Sequence, residues 1–383
     1  MQAISKYDAF QKIISSNLAA PILFVLMLGL TIYVIYYYYS ATINLNITSN
    51  FAPRIQECSN IAETNYNNDY ISKRKSLSNL LQTYQINNPY LINFYVLTAN
   101  MAGLFTPAAD GVYDITALKY ALRAGARGFV FDIYSGTKEQ NYAPVLHVLQ
   151  PGSSWKIQTM NEMPLALALQ TLRTEGFENS SLASYNDPMI IYFRFRGTII
   201  STTLNLSAAA LRSTLEDKRV STSSNESIPA LPINNFMNKF VLFSNMNNTK
   251  TSFDDYNNNK PGDGVINSYS PNNILNMNIA SNEAITITNN TKLVYSMCSP
   301  KPDDSQSNDN MWNIEDAEKV GINMFGFNFF SYDNGLSTYL SDDAKYGIYS
   351  FYLKPDSLLY KPVMTSPPLK NNVNVGNGIP VVK

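Results

Sequence analysis

The chain has 383 residues, 45% of them hydrophobic and 15% charged, with a formal net charge of -1. That length accommodates one barrel of about 250 residues with extensions. A near-neutral chain has no basic field to gather nucleic acid, so that partner class is excluded. Two cysteines, Cys58 and Cys298, exclude a disulfide framework and a Cys-based zinc site. The single histidine, His147, excludes any mechanism that needs separate histidines as general base and general acid.

Residues 1–17 form a short N-terminal segment. No residue is charged from 13 to 53. Within that stretch residues 18–39 are apolar and long enough to cross about 30 Å of hydrocarbon as a helix. The tyrosines at 36–39 suit an interfacial aromatic belt. A cleaved signal peptide is the rival reading, because Ser40 and Ala41 are small, but signal h-regions run to only about 7–15 residues. The expectation is a single-pass membrane protein with the lipid bilayer as one partner. Lys6 and Lys12, offset by Asp8, precede the span, and Arg54 and Glu57 follow it. The positive-inside rule therefore puts the N-terminus on the cytosolic side.

Residues 40–88 are polar and Asn-rich and read as a stalk, with a short helical pattern in KSLSNLLQTY (75–84). From 89 to 362 the pattern alternates. Strand-like runs INFYVLT, GFVFDIY, PVLHVL, PMIIYFRF and KFVLFSN are interleaved with helix-like ITALKYALRAG, EMPLALALQTLRTEG and SAAALRSTLED. Apolar runs of that length separated by helices indicate an α/β domain with a parallel sheet. Residues 246–282 break the rhythm with YNNNKPGDG and YSPNN and read as a flexible insertion. TKLVYSM, INMFGFNFF and SFYLKP restore it, and residues 363–383 lack periodicity and form a tail. The paired acids Asp254 with Asp255, Asp303 with Asp304, and Asp342 with Asp343 sit in polar stretches and read as solvated loops.

Residues 118–136, LKYALRAGARGFVFDIYSG, are the most informative run. They read as an amphipathic helix, a turn at Gly125, and a buried strand ending in one acid, Asp132. This run resembles the X region of the eukaryotic phosphoinositide-specific phospholipase C family. There a Gly-Cys-Arg turn enters a strand that ends Glu-Leu-Asp, then an aromatic residue and Gly. Gly125, Arg127, Asp132, Tyr134 and Gly136 keep that frame, and Val130 stands at the first acid. The resemblance extends over about residues 89–358. In NPYLINFYVLTANMAG, an ungapped count puts Ala99 at the family's first histidine and Asn100 at its metal-binding asparagine. With one gap Asn100 takes the histidine position instead. In APVLHVLQ, His147 falls one residue before the second histidine, and a one-residue shift in a strand turns the side chain to the other face. In DPMIIYFRFRG, Arg194 occupies the position of a calcium-binding glutamate. In KFVLFSN, Lys239 is kept and Phe243 replaces a phosphate-binding lysine. The Y region is matched by NNTKLVYSMCSP, MWN, GINMFGFNFFS and SFYLKP, with Trp312, Asn313, Gly321, Met324, Asn328, Phe329, Leu353, Lys354 and Pro355 in register. Met297 replaces its phosphate-binding arginine.

The resemblance implies a (β/α)8 TIM-type barrel behind an N-terminal transmembrane helix. It also implies a degenerate site. The family's reaction is attack of the inositol 2-hydroxyl on the lipid phosphate, assisted by two histidines and calcium. Calcium takes about six to eight oxygen ligands. Of the family's ligands only Asp132, and on one alignment Asn100, survive, so no metal or other cofactor is expected. The remnants of the site are Asn100, Asp132, His147 and Arg194. Asp132 and Arg194, at the ends of neighbouring elements in the family frame, are expected to pair within roughly 4 Å. The expected function is a membrane-anchored, non-catalytic barrel with a structural or binding role. A divergent phosphodiesterase acting on a phospholipid or sugar phosphate is the alternative. The Asn, Tyr and Ile bias suits a large DNA virus, with the protein in a virion membrane among other membrane or capsid proteins.

Overall fold

The computed structural model describes residues 19–87, 89–105, 111–148, 159–220, 228–257, 266–274, 277–300, 310, 314–341 and 348–362, with backbone alone for 19–24 and 34–50. Its centre is a set of seven strands: β1 (Phe94–Ala99), β2 (Gly128–Ser135), β3 (Met189–Phe195), β4 (Phe240–Ser244), β5 (Asn267–Tyr269), β6 (Ser296–Cys298) and β7 (Met324–Phe327). They bond in the spatial order β4–β3–β2–β1–β7–β6–β5, every pair parallel. Pairing of β7 with β1 brings the end of the domain back to its start, as a barrel does. Among the described residues no pair joins β4 to β5, so the barrel is not closed. One more strand, β8 (Phe351–Leu353), runs antiparallel beside the first half of β1.

The long strands β1 to β4 form because their sequences are apolar on both faces, the mark of a parallel sheet covered on each side. Tyr95, Leu97, Phe129, Phe131, Ile191 and Phe193 face outward into a core shared with the helices. The alternate positions, Phe94, Val96, Val130, Ile190, Tyr192, Val241, Phe243, Met297 and Met324, fill the lumen. Around the outside run α2 (Ile115–Arg123), α3 (Leu165–Arg173), α4 (Ser201–Leu215) and α5 (Asn282–Thr291). Asp114 caps α2 by accepting from the Thr116 amide. Gly125, at φ +93°, turns the chain from α2 toward β2, a conformation that favours glycine.

Preceding all of these is α1 (Ala19–Asn65), continuous through Pro53. Cys58, Ala62 and Tyr66 are spaced four apart, so they share one face, and all three are buried. The Tyr66 hydroxyl donates to the Phe329 carbonyl at 2.5 Å. The segment read as a stalk is thus helical to Asn65, and from about Ile55 it joins the body. Leu77 and Leu80, on the helix Leu77–Thr83, continue into the lumen core. Residues 246–282, read as an insertion, supply Phe253 to the core and β5 to the sheet.

No helix among the described residues is long and apolar enough to cross a membrane. The expected span at 18–39 lies partly outside them, its side chains being described only over 25–33. Residues 1–17 and 363–383, Trp312 and Asn313 also lie outside the described residues.

Candidate functional site

The site sits where the lumen opens at the C-terminal ends of the strands. Strand register places Asp132 of β2 directly beside Arg194 of β3, and both side chains lie on the lumen face. The pair is bidentate. Arg194 Nε donates to Asp132 Oδ1 and Nη2 to Oδ2, each at 2.7 Å. Asp132 is 0% and Arg194 3% exposed, so this is a fully desolvated ion pair, and such a pair persists only when its hydrogen bonds are also satisfied. They are. Arg194 Nη1 donates to Ser299 Oγ at 3.0 Å and to the Pro300 carbonyl at 3.1 Å, and Nη2 donates to Asn100 Oδ1 at 3.2 Å. All five guanidinium N–H groups are thereby used.

The neighbours continue the network. Asn100 Nδ2 donates to the Pro300 carbonyl at 3.1 Å and to Asn328 Oδ1 at 3.2 Å. Asn310 holds the Asn328 backbone from both sides, accepting from its amide at 2.7 Å and donating to its carbonyl at 3.0 Å. Gly326 makes this closeness possible, since a Cβ there would lie 2.7 Å from Ser299 Cβ and 3.1 Å from Asn100 Cβ. A second guanidinium, Arg196, approaches Asp132 Oδ1 at 3.8 Å. The Tyr113 phenol is buried beside this group without a hydrogen-bond partner among the described residues. Burial raises its pKa well above the usual phenol value, Asp132 and Tyr134 add to that, and Arg194 opposes it. Burial and then Asp132 push the Tyr134 phenol up to about 12.

Beneath the network the lumen is apolar. Phe243 stacks on Tyr295 at 5.2 Å between ring centroids, and Met297 is 0% exposed beside Val130 and Tyr192.

Of the residues singled out in the sequence, Asn100, Asp132 and Arg194 come together. His147 stands apart from their hydrogen bonds. It follows the strand Pro144–Leu146, which runs antiparallel to the outer end of β2. Its Nδ1 is 3.6 Å from Glu162 Oε1, and its ring meets that of Tyr134 edge-on. Burial lowers its pKa, with Glu162 opposing. The residues that sequence reasoning missed are Ser299, Asn310, Tyr113 and Arg196, and it assigned Asn328 no role. A signal existed for two of them: Ser299 lies two residues after Met297, and Asn328 four after Met324, so both share the lumen face of those methionines.

The donor set does not fit calcium. Each Asp132 oxygen already faces a guanidinium nitrogen at 2.7 Å, and a fixed positive charge there repels a cation. The described residues hold no group of three or more His, Cys, Asp or Glu that could bind a metal.

No protein-family model matches the chain, and no curated protein matches it by sequence. Solved structures do match. L. pealei PLC21 superposes with a TM-score of 0.53 at 12% identity, over 70% of this chain and 38% of that one. S. officinalis PLC21 gives 0.51 at 12% identity, with the same shares. The fold is that of phospholipase C catalytic domains. A calcium-dependent phosphoinositol-specific phospholipase C from a Pseudomonas species is also similar, at 9% identity and a TM-score of 0.42, over 70% of this chain and 96% of that one. This chain spans well under half the length of the two PLC21 proteins, and at 12% identity the likeness establishes the fold alone.

Proposed function

We propose that this protein is a membrane-anchored phospholipase-C-like barrel that has exchanged catalysis for a structural or binding role. The observation that carries this reading is the bidentate Arg194–Asp132 pair. It occupies the acid that the phospholipase C resemblance would assign to calcium, and it leaves no carboxylate oxygen clear of a guanidinium. General acid–base help is worth about 10² to 10⁴ in rate per group. The one histidine is engaged with Glu162 outside the network, so two-histidine chemistry has no residues to run on. The apolar Phe243, Tyr295 and Met297 beneath the network favour packing over recognition of ring phosphates. In this reading the protein needs no cofactor, and a virion membrane is the setting that the composition suits.

The anchor rests on the uncharged stretch over residues 13–53 and on α1. Where side chains of that stretch are described, Val25, Leu26, Met27, Leu28, Leu30, Ile32 and Tyr33 are all exposed. Consecutive positions point around the whole helix, so the apolar surface is not a single stripe. A helix that is apolar all round belongs in a bilayer or a core.

Three measurements test the reading. Carbonate extraction leaves the protein with the membrane pellet, and release to the supernatant removes the anchor. Calorimetry shows no calcium binding at micromolar concentrations. A lipid assay releases no inositol phosphate, and turnover abolished by Asp132→Asn would establish the divergent phosphodiesterase instead.

A further inference from the structure

The way α1 is seated on the barrel fixes a direction. Follow the chain backward from the foot, the end where the strands begin. Arg74 packs against Gly125, ahead of β2. The Tyr70 hydroxyl donates to the Ala124 carbonyl. Glu63, one turn before Tyr66, reaches across to Tyr120 and Arg123 in the last turn of α2 and accepts from both. Tyr66 bonds the Phe329 carbonyl, two residues past the mouth end of β7, and its ring meets that of Phe330. α1 also touches the strand Val112–Tyr113, which precedes α2 at the mouth. Ile55 packs on the same core cluster. Toward its own N-terminus, then, α1 climbs from foot to mouth, and the residues before Ile55 continue past the mouth.

The helix is unbroken back to Ala19. Between residues 39 and 55 it rises about 24 Å. A proline kink at Pro53 bends such a rod without reversing it.

We propose that α1 is a strut that leaves the barrel at its mouth end and holds the mouth toward the lipid bilayer in which residues 18–39 are embedded. This rests on the anchor reading above and goes beyond it, because an anchor on a free tether would leave the barrel's orientation random. The partner presented to the Asn100, Asp132 and Arg194 end is therefore a lipid headgroup layer, and the foot, with Leu293 and the end of α5, points away.

The test uses the full chain in phosphatidylcholine vesicles that carry a quencher on the lipid headgroup. A single dye is placed at Lys138→Cys, in the exposed turn after β2 at the mouth, or at Leu293→Cys, 63% exposed at the foot. Cys58 and Cys298 are buried and stay unlabelled. The larger loss of fluorescence is expected at position 138. Equal loss at both, or greater loss at 293, overturns the proposal. A Gly-Gly-Ser-Gly insertion after Asn50 interrupts the rod and is expected to shrink the difference. An unchanged difference shows that α1 is not what orients the barrel and overturns the strut. If the protein does not float with the vesicles at all, the anchor reading itself has failed, a result distinct from a floating protein with the wrong face inward.

Discussion

At the mouth of the barrel Arg194 is matched donor for acceptor, and its counter-charge Asp132 is bonded through both oxygens. At the foot Arg127 is just as deeply buried but less completely matched. Its Nη1 donates to the Gly176 carbonyl at 3.1 Å and its Nη2 to Ser184 Oγ at 2.8 Å, while Nε has no partner among the described residues. Its nearest counter-charge, Asp187, spends its oxygens on the Leu77 amide at 2.9 and 3.0 Å. Burial lowers Arg127 to about 10 and raises Asp187 to about 7, with Arg127 opposing the second shift. Strand register explains the difference. Adjacent residues on paired strands bring two side chains into fork-to-fork contact, whereas Arg127 and Asp187 lie just before β2 and β3 and each turns to loop or helix-end groups. The mouth pair is a closed unit, and the foot pair can still titrate.

The largest effect should come from breaking the closed unit. Asp132→Ala strands Arg194 without its counter-charge and should cost about 3–5 kcal/mol in urea unfolding. A loss below about 1 kcal/mol would mean that water reaches Arg194 and the pair is not sealed. The double variant Asp132→Leu with Arg194→Met should return to within about 1 kcal/mol of the parent or exceed it, since an apolar plug removes both desolvation penalties.

The foot should respond to pH. A raised carboxyl pKa means that the folded state binds more protons than the unfolded one between about pH 4 and pH 7. The associated stability is full below about pH 4 and is lost as pH rises to about 7, on the order of 4 kcal/mol. Asp187→Asn keeps an acceptor for Leu77 and should flatten that slope. Parallel pH profiles for parent and variant would show that Asp187 titrates alike in both states.

Next to Leu77, Ser76 accepts from the Asn79 amide and completes a capping box. Ser76→Ala should cost about 1 kcal/mol by thermal or urea unfolding. A cost near zero would assign the whole cap to Asp187.

The smallest effect belongs to His147 at the flank of the mouth. Its folded pKa is depressed, so its stability term is present above about pH 6.5 and is lost as pH falls. Because the chain has one histidine, its imidazole NMR titration is unambiguous, and the midpoint should lie below about 6.5. A midpoint above that would show that Glu162 outweighs burial.

The sequence made the parallel sheet legible, because each long strand is an unbroken apolar run between turn signals. It also made the mouth pair legible. Asp132 and Arg194 sit near the ends of their strands, and their side chains face the same way once the strands align. Asn310 and the Pro300 carbonyl were not legible, because they join the network from loops and carry no periodic signal. The end of α1 was hidden differently. Cys58, Ala62 and Tyr66 form one narrow buried face in an Asn-rich, polar context, which mimics a solvated stalk. Strand β5 was masked by the Asn, Gly and Pro-rich stretch around it, and its own three residues, Asn267–Tyr269, are polar.

The bidentate pair also makes a single change at position 194 costly. Suppose Arg194 were replaced by an acid. Arg194→Glu alone would set two desolvated carboxylates side by side in register, with Ser299 Oγ and Asn100 Oδ1 losing the guanidinium donor and the Pro300 carbonyl keeping only Asn100 Nδ2. Like charges at that distance drive one group to take up a proton, so the intermediate would gain no metal and would lose the seal. Val130 would have to change as well before a cation could compensate. A stepwise route to a metal site at this mouth would therefore pass through a destabilised protein, so folding stability by itself opposes installing a cation beside Asp132.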